Sequence, residues 1–158
     1  MSTDYSDLPY RPCVGIFLFN DDKKIFVGER LDNPGSWQMP QGGMNEGETI
    51  EQAAFREMRE EVGTDKAELV RISDTVYTYD LPHHLLGKLW QGKYKGQEQK
   101  WVALRFTGEE REITLYDGVH PEFMNYRWSH FDNVCDDIVP FKKETYLKVL
   151  EEFKDLVV

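Results

Sequence analysis

The chain has 158 residues, 40% of them hydrophobic and 13% aromatic, enough for the core of one domain. Its formal net charge of −10 argues against nonspecific nucleic-acid binding over a broad basic surface, and leaves open a phosphate ligand held locally by cations. No apolar run reaches the length of a membrane span, and "MSTDYSDLPYRPC" lacks the basic-then-apolar pattern of a secretory signal, so a cytoplasmic location is the default expectation.

In chain order, residues 1–9 read as a flexible tail. "CVGIFLFN" (Cys13–Asn20) is a continuous apolar run of strand length, "NDDK" a turn, and "KIFVGER" (Lys24–Arg30) a returning strand, together a hairpin. "LDNPGS" is a loop, and the Gly- and Pro-rich "WQMPQGGMNEGE" is expected to be irregular. A helix follows, with Thr49 as N-cap, Gln52 completing a capping box, and Ile50, Ala54, Met58 and Val62 as its apolar stripe. Gly63 is its C-terminal stop. "AELVRISDTVYTYDL", "KWVALRFTG" and "EFMNYRWSH" read as strands, "HHLLGKLWQGKYKGQEQ" as a polar connection, and "KKETYLKVLEEF" as a closing amphipathic helix. Helices and strands mixed over one core give an α/β class with one domain across residues 1–158. Cys13 and Cys135 make no disulfide framework and are read as reduced, buried thiols.

The end of the first helix, "FREMREEVG", raises a physical question. Glu57, Glu60 and Glu61 crowd a helix C-terminus, where the macrodipole favours cations. With Ile50 at zero, Glu57 falls at about −20°, Glu61 at about +20° and Glu60 at about −80° around the axis. Two carboxylates therefore border the apolar stripe. Arg56 can pair with Glu60 across i,i+4, but one arginine does not neutralise three acids. A solvated charged face explains this poorly; a divalent cation removes both objections. Hard oxygen ligands without His or Cys suit magnesium or manganese. Gly42 and Gly43, just before the helix, let backbone approach a ligand closely, although a Gly-Gly pair alone is an ordinary turn signal.

"GGMNEGETIEQAAFREMREEVGT" resembles the Nudix box, with Gly42, Glu48, Arg56, Glu57, Met58, Glu60, Glu61 and Gly63 in its fixed places; Thr64 departs from the usual aliphatic residue. "RPCVGIFLFN", "SWQMPQGG", "YDLP", "GQEQKWVALRF", "PEFMNYRW" and "VPFKKETY" look like the branch of bacterial RNA pyrophosphohydrolases and dinucleoside polyphosphate hydrolases. The resemblance implies an α/β/α sandwich with a mixed sheet and a loop–helix–loop metal site. It implies several Mg2+ ions, with Mn2+ able to substitute, on Glu57, Glu60, Glu61 and a carbonyl near Gly42, and it carries over Glu122 as a further ligand. Glu48, Arg56, Gly42 and Gly63 would be structural in the motif.

The implied reaction is attack of water on a phosphoanhydride, with Glu122 or a helix glutamate (Glu57 or Glu60) taking the proton. Arg11, Arg30 and Lys100 are candidates for the phosphates, although surface solubility explains any one of them singly. The resemblance favours Arg11 and Arg30 near the 5′ phosphates and terminal base, with Ser36 nearby. Phe141 with Lys142 and Lys143, and separately Tyr79, could stack a base, or could be core packing. His83 and His84 read as exposed loop residues, and Trp37, Trp90, Trp101 and Trp128 as packing residues.

Three functions remain open: conversion of 5′-triphosphate RNA ends to monophosphates, cleavage of diadenosine tetraphosphate to ATP and AMP, and a non-catalytic nucleotide-binding module. The intact set of box acids argues against the last. No membrane or DNA partner is expected, and a monomer is the simplest assembly.

Overall fold

The computed structural model describes residues 7–115 and 121–158. Seven strands and two long helices form it: β1 (Tyr10–Phe19), β2 (Ile25–Arg30), β3 (Trp37–Gln38), β4 (Gln41–Gly43), α1 (Ile50–Val62), β5 (Ala67–Asp80), β6 (Gly96–Phe106), β7 (Phe123–Ser129) and α2 (Pro140–Val157). Residues 1–6 of the expected tail lie outside the described residues; the Pro9 carbonyl accepts the Lys95 N–H at 3.1 Å.

The sheet runs β3-β2-β1-β6-β5, with β4 also on β1 and β7 also on β2. β1 and β6 are parallel from Tyr10↔Gly96 to Phe19↔Arg105, whereas β5–β6 and β2–β7 are antiparallel. The sheet is therefore mixed. β1 is apolar and buried from Cys13 to Phe19 because both its faces are covered there. Phe17 and Phe19 pack with Trp101, Tyr146 and Phe153 under α2, while Val14, Ile16 and Leu18 pack with Ala54, Met58 and Val62 under α1. Burying each such large apolar side chain stabilises the fold by about 1.5–3 kcal/mol.

The expected hairpin holds only at its mouth, with the pairing Phe19↔Ile25. Beyond it β1 and β2 diverge, and the segment expected to be irregular fills the opening with two short strands. β3 pairs with β2, and β4 pairs with β1 through Gly15↔Gln41, Val14↔Gly42 and Cys13↔Gly43. The Gly-Gly pair is thus held in the sheet, and α1 starts seven residues later against the same strand.

α1 has the caps its sequence dictates. The Thr49 side chain accepts from Gln52 N–H at 3.1 Å, and the Gln52 side chain accepts from Thr49 N–H at 3.0 Å. Gly63 closes the helix at φ 88°, and a Cβ there would overlap the Thr114 backbone. The Thr114 N–H bonds the Val62 carbonyl at 2.9 Å, tying the carboxylate-bearing end of α1 to the strap before β7. Cys13 is buried as expected, Cys135 only half-buried, and both are free thiols. No described helix is long and apolar enough to cross a membrane.

Candidate active site

One end of the sheet opens into a cleft of about 1040 Å³. Its acidic wall comes from α1 and the residue just before β7: Glu57, Glu60, Glu61 and Glu122, beside Gly42 and Gly43 of β4. Arg11, Arg30 and Lys142 supply its cations, and Tyr79 and Phe141 its aromatic wall.

The helical arithmetic holds. Glu57 and Glu61 are 7% and 5% exposed, next to the α1 core, whereas the Glu60 side chain is 55% exposed. Burial pushes the Glu57 carboxyl up to about 7 against the pull of Arg56, with Glu60 and Glu122 adding to the rise. Glu61 is pushed well above the usual carboxylate range by burial and then by Glu57 and Glu122. The Gln41 N–H donates to Glu61 Oε2 at 3.1 Å. At Gly42 a Cβ would overlap the Glu57 carboxylate, so glycine is required for the close approach and not for its backbone angles.

Arg56 organises this wall. Its guanidinium grips Glu48 through Nε–Oε2 at 2.6 Å and NH2–Oε1 at 2.9 Å, and donates to the Gly43 carbonyl at 2.8 Å. Its NH1 reaches Glu57 Oε1 at 2.8 Å and Glu60 Oε2 at 3.2 Å. The Glu48 carboxyl is held low, at about 2, by Arg56 and then by the Asn45 N–H. Glu48 and Arg56 are thus placed as supports of the loop and helix.

A divalent cation fits this wall, although no three of the described His, Cys, Asp and Glu residues are already drawn together as a metal cluster. Glu57 Oε2, Glu60 Oε1 and Glu61 Oε1 accept no hydrogen bond among the described residues. Two of the three carboxyls are buried, with one arginine between them. Oxygen-only donors suit a hard cation.

Opposite, Arg11 lies over the Trp90 ring, 5.3 Å from its centroid, and its NH1 contacts Cys13 Sγ at 3.5 Å. It makes no ion pair among the described residues, so its charge faces the cleft. Arg30 is gripped by Asp32 in a bidentate pair at 2.8 and 2.9 Å. Lys142, 6% exposed, donates to Gln38 Oε1 at 3.1 Å, and burial, then Arg30, lowers it to about 8. The Tyr79 and Phe141 rings stand 5.5 Å apart at 56°.

Two expected contacts fall elsewhere. Lys100 pairs with Val14 and lies on the α1 side of β6, opposite to Gln97 and Gln99, so it does not line the cleft. Ser36 closes the β2–β3 loop, its carbonyl accepting from Arg30 N–H at 2.8 Å and its hydroxyl from Asn33 at 2.9 Å; Asp32 and Asn33, not Ser36, face the cleft. Other cleft residues escaped sequence reasoning. The segment read as a polar connection folds into a short 3-10 turn, His83–Leu85, and a left-handed turn across Leu89–Gly92, and brings His84, Leu85, Leu89 and Trp90 to the rim. Trp90 is thus a rim residue where packing was expected, while Trp101 is fully buried. Gln38, Gln41 and Gln97 also line the cleft. Their one sequence signal is position, flanking "PQGG" and alternating along β6.

A mixed sheet between two helices, with buried carboxylates facing cations and aromatic rings at one end, defines an α/β/α sandwich of the Nudix type. The chain belongs to the NUDIX family: the model described as NUDIX domain matches residues 9–149. It is 48% identical over 148 residues to the RNA pyrophosphohydrolase of Wolbachia pipientis subsp. Culex pipiens, covering 94% of this chain and 91% of the relative. It is 46% identical to the RNA pyrophosphohydrolase of Rickettsia prowazekii, over 99% of this chain and 97% of that one. Among solved structures it is similar to the E. coli dihydroneopterin triphosphate pyrophosphohydrolase, with TM-score 0.71 and 25% identity over 92% of this chain and 97% of that one. A C. elegans Ap4A hydrolase shares the fold, with TM-score 0.61 at 15% identity over 90% and 98%.

Proposed function

We propose that this protein is an RNA 5′ pyrophosphohydrolase, hydrolysing phosphoanhydride bonds at 5′-triphosphate ends to leave a monophosphate, with Mg2+ as its cation, Mn2+ as a substitute, and the cytoplasm as its place of work. The observation that carries this reading is the facing of two walls: Glu57, Glu60, Glu61 and Glu122 on one side, Arg11, Arg30 and Lys142 with Tyr79 and Phe141 on the other. Relatives at 45–48% identity over nearly the whole chain, named RNA pyrophosphohydrolase, support the choice of substrate.

Glu57, Glu60, Glu61 and Glu122, with a backbone carbonyl beside Gly42, would hold several cations. When bound, these neutralise phosphate oxygens and make water a stronger acid. Arg11, without an ion-pair partner among the described residues, takes up charge on the phosphates. Glu122, exposed just before β7, accepts the proton of the attacking water. Phe141 and Tyr79 offer a stacking surface to the first bases, with Lys142 beneath.

The test sets 5′-triphosphate RNA against diadenosine tetraphosphate, with magnesium, at matched monomeric enzyme. A higher kcat/KM on RNA, with pyrophosphate or stepwise phosphate released, is expected. A preference for the dinucleotide, giving ATP and AMP, would overturn the substrate assignment.

A further inference from the structure

We infer that Gln99 is a positioning residue: buried beneath the cleft, it sets the direction of a hydrogen-bond chain so that Gln97 turns a donor toward the substrate. The inference deepens the proposed function and rests on it for the identity of the ligand, an oligophosphate.

The chain starts in the core. Trp101, with no exposed surface, donates its Nε1–H to Gln99 Oε1 at 3.0 Å. An indole can only donate, so the amide of Gln99 has one possible orientation. Reversed, it would set NH2 against N–H. Gln99 Nε2 must therefore donate, and it does so twice, to Gln97 Oε1 at 2.7 Å and to Gln41 Oε1 at 2.8 Å. That in turn fixes both outer amides with their oxygens inward.

Gln97 is 4% exposed and lines the cleft. Its Nε2 makes no hydrogen bond among the described residues. Yet no sealed side-chain nitrogen or oxygen among them lacks a partner, so this nitrogen opens to the cleft. The outward group of the chain is thus the NH2 of Gln97. Flipping Gln97 and Gln41 to present oxygens would strand the two N–H groups of Gln99 in the core, a costly state. A wall that can only donate complements phosphate oxygens, which can only accept.

Binding of imidodiphosphate, whose P–N–P bridge resists hydrolysis, tests this by calorimetry in the presence of magnesium, with a thermal melt of each variant alongside. Gln99→Glu keeps the acceptor for Trp101 but cannot donate, so Gln97 and Gln41 should reverse; binding should weaken at least about tenfold. Gln99→Met unpins the amides without adding charge and should weaken binding about fivefold. Folded Gln99→Glu and Gln99→Met proteins that bind within twofold of the wild type would overturn the inference, as would a wild type that does not bind the probe. If both variants unfold, Gln97→Met decides: unchanged affinity there removes the donor role. Turnover of 5′-triphosphate RNA is measured separately. A wild type inactive on RNA whose variants still lose the probe would sink the substrate assignment and leave the positioning role standing.

Discussion

The Glu57 carboxylate rests directly on the α-carbon of Gly42, in space that a Cβ at position 42 would occupy. Helix and strand meet there with no side chain between them. Because the obstructed atoms are the far end of a flexible side chain, Gly42→Ala should fold with nearly unchanged Tm. The displaced carboxylate should weaken magnesium affinity and lower kcat/KM, about tenfold each. Magnesium titration of turnover checks this; unchanged metal dependence would detach Gly42 from the site.

Glu57 also predicts a pH dependence. Its carboxyl sits at about 7 in the fold against 4.5 for an ordinary glutamate. Below 4.5 it is protonated in both folded and unfolded chains and costs nothing. As pH rises through about 7 the buried charge develops, and the cation-free protein loses roughly 3 kcal/mol from this group. Melts in a chelator should show Tm falling from pH 5 to pH 8, and magnesium should restore it at pH 8. Glu57→Gln should make the chelated profile shallower, leaving the part that comes from buried Glu61. A fall just as steep in that variant would place its origin elsewhere.

Glu57→Gln and Glu60→Gln should both fold and both lose most magnesium-dependent turnover, by about a hundredfold or more. Near-normal rates in the two variants would remove the mechanism.

Arg56 makes five hydrogen bonds, to Glu48, Glu57, Glu60 and the Gly43 carbonyl. Lysine keeps the charge but not the planar fork. Arg56→Lys should cost about 2 kcal/mol, roughly 6 °C in Tm, and should raise the magnesium needed for half-maximal rate. Calorimetry and a magnesium titration read the two effects separately.

Phe141→Ala should raise KM more than it lowers Tm, because Phe141 packs against Tyr79 at the cleft and belongs to neither core cluster. A large Tm loss with unchanged KM would make the ring a packing residue.

What the sequence made legible was local. The capping box of Thr49 and Gln52, the stop at Gly63 and the placing of Glu57 and Glu61 beside the core all follow from helical spacing. What it hid was set by contacts between distant segments. Nothing in "CVGIFLFN" marks its parallel partner as β6, whose alternation turns Lys100 to the face opposite Gln97 and Gln99. Trp90 reaches the rim because its segment turns through φ 52° and 60° at Trp90 and Gln91, angles that no local composition signal announced. The glutamines were overlooked for a related reason: an amide becomes directional only when a donor such as Trp101 is set beside it.

The same parallel pairing sets an order of events for the newborn chain. β1 emerges first, but its parallel neighbour β6 begins only at Gly96, after both glycines and the whole acidic helix have been made. Closing so long a loop is a slow step, and the strand it completes lies at the centre of the sheet. The carboxylates of α1 are therefore synthesised early and seated late. A ribosome-bound chain ending before β6 carries every acid of the box and lacks the sheet that would bury two of them.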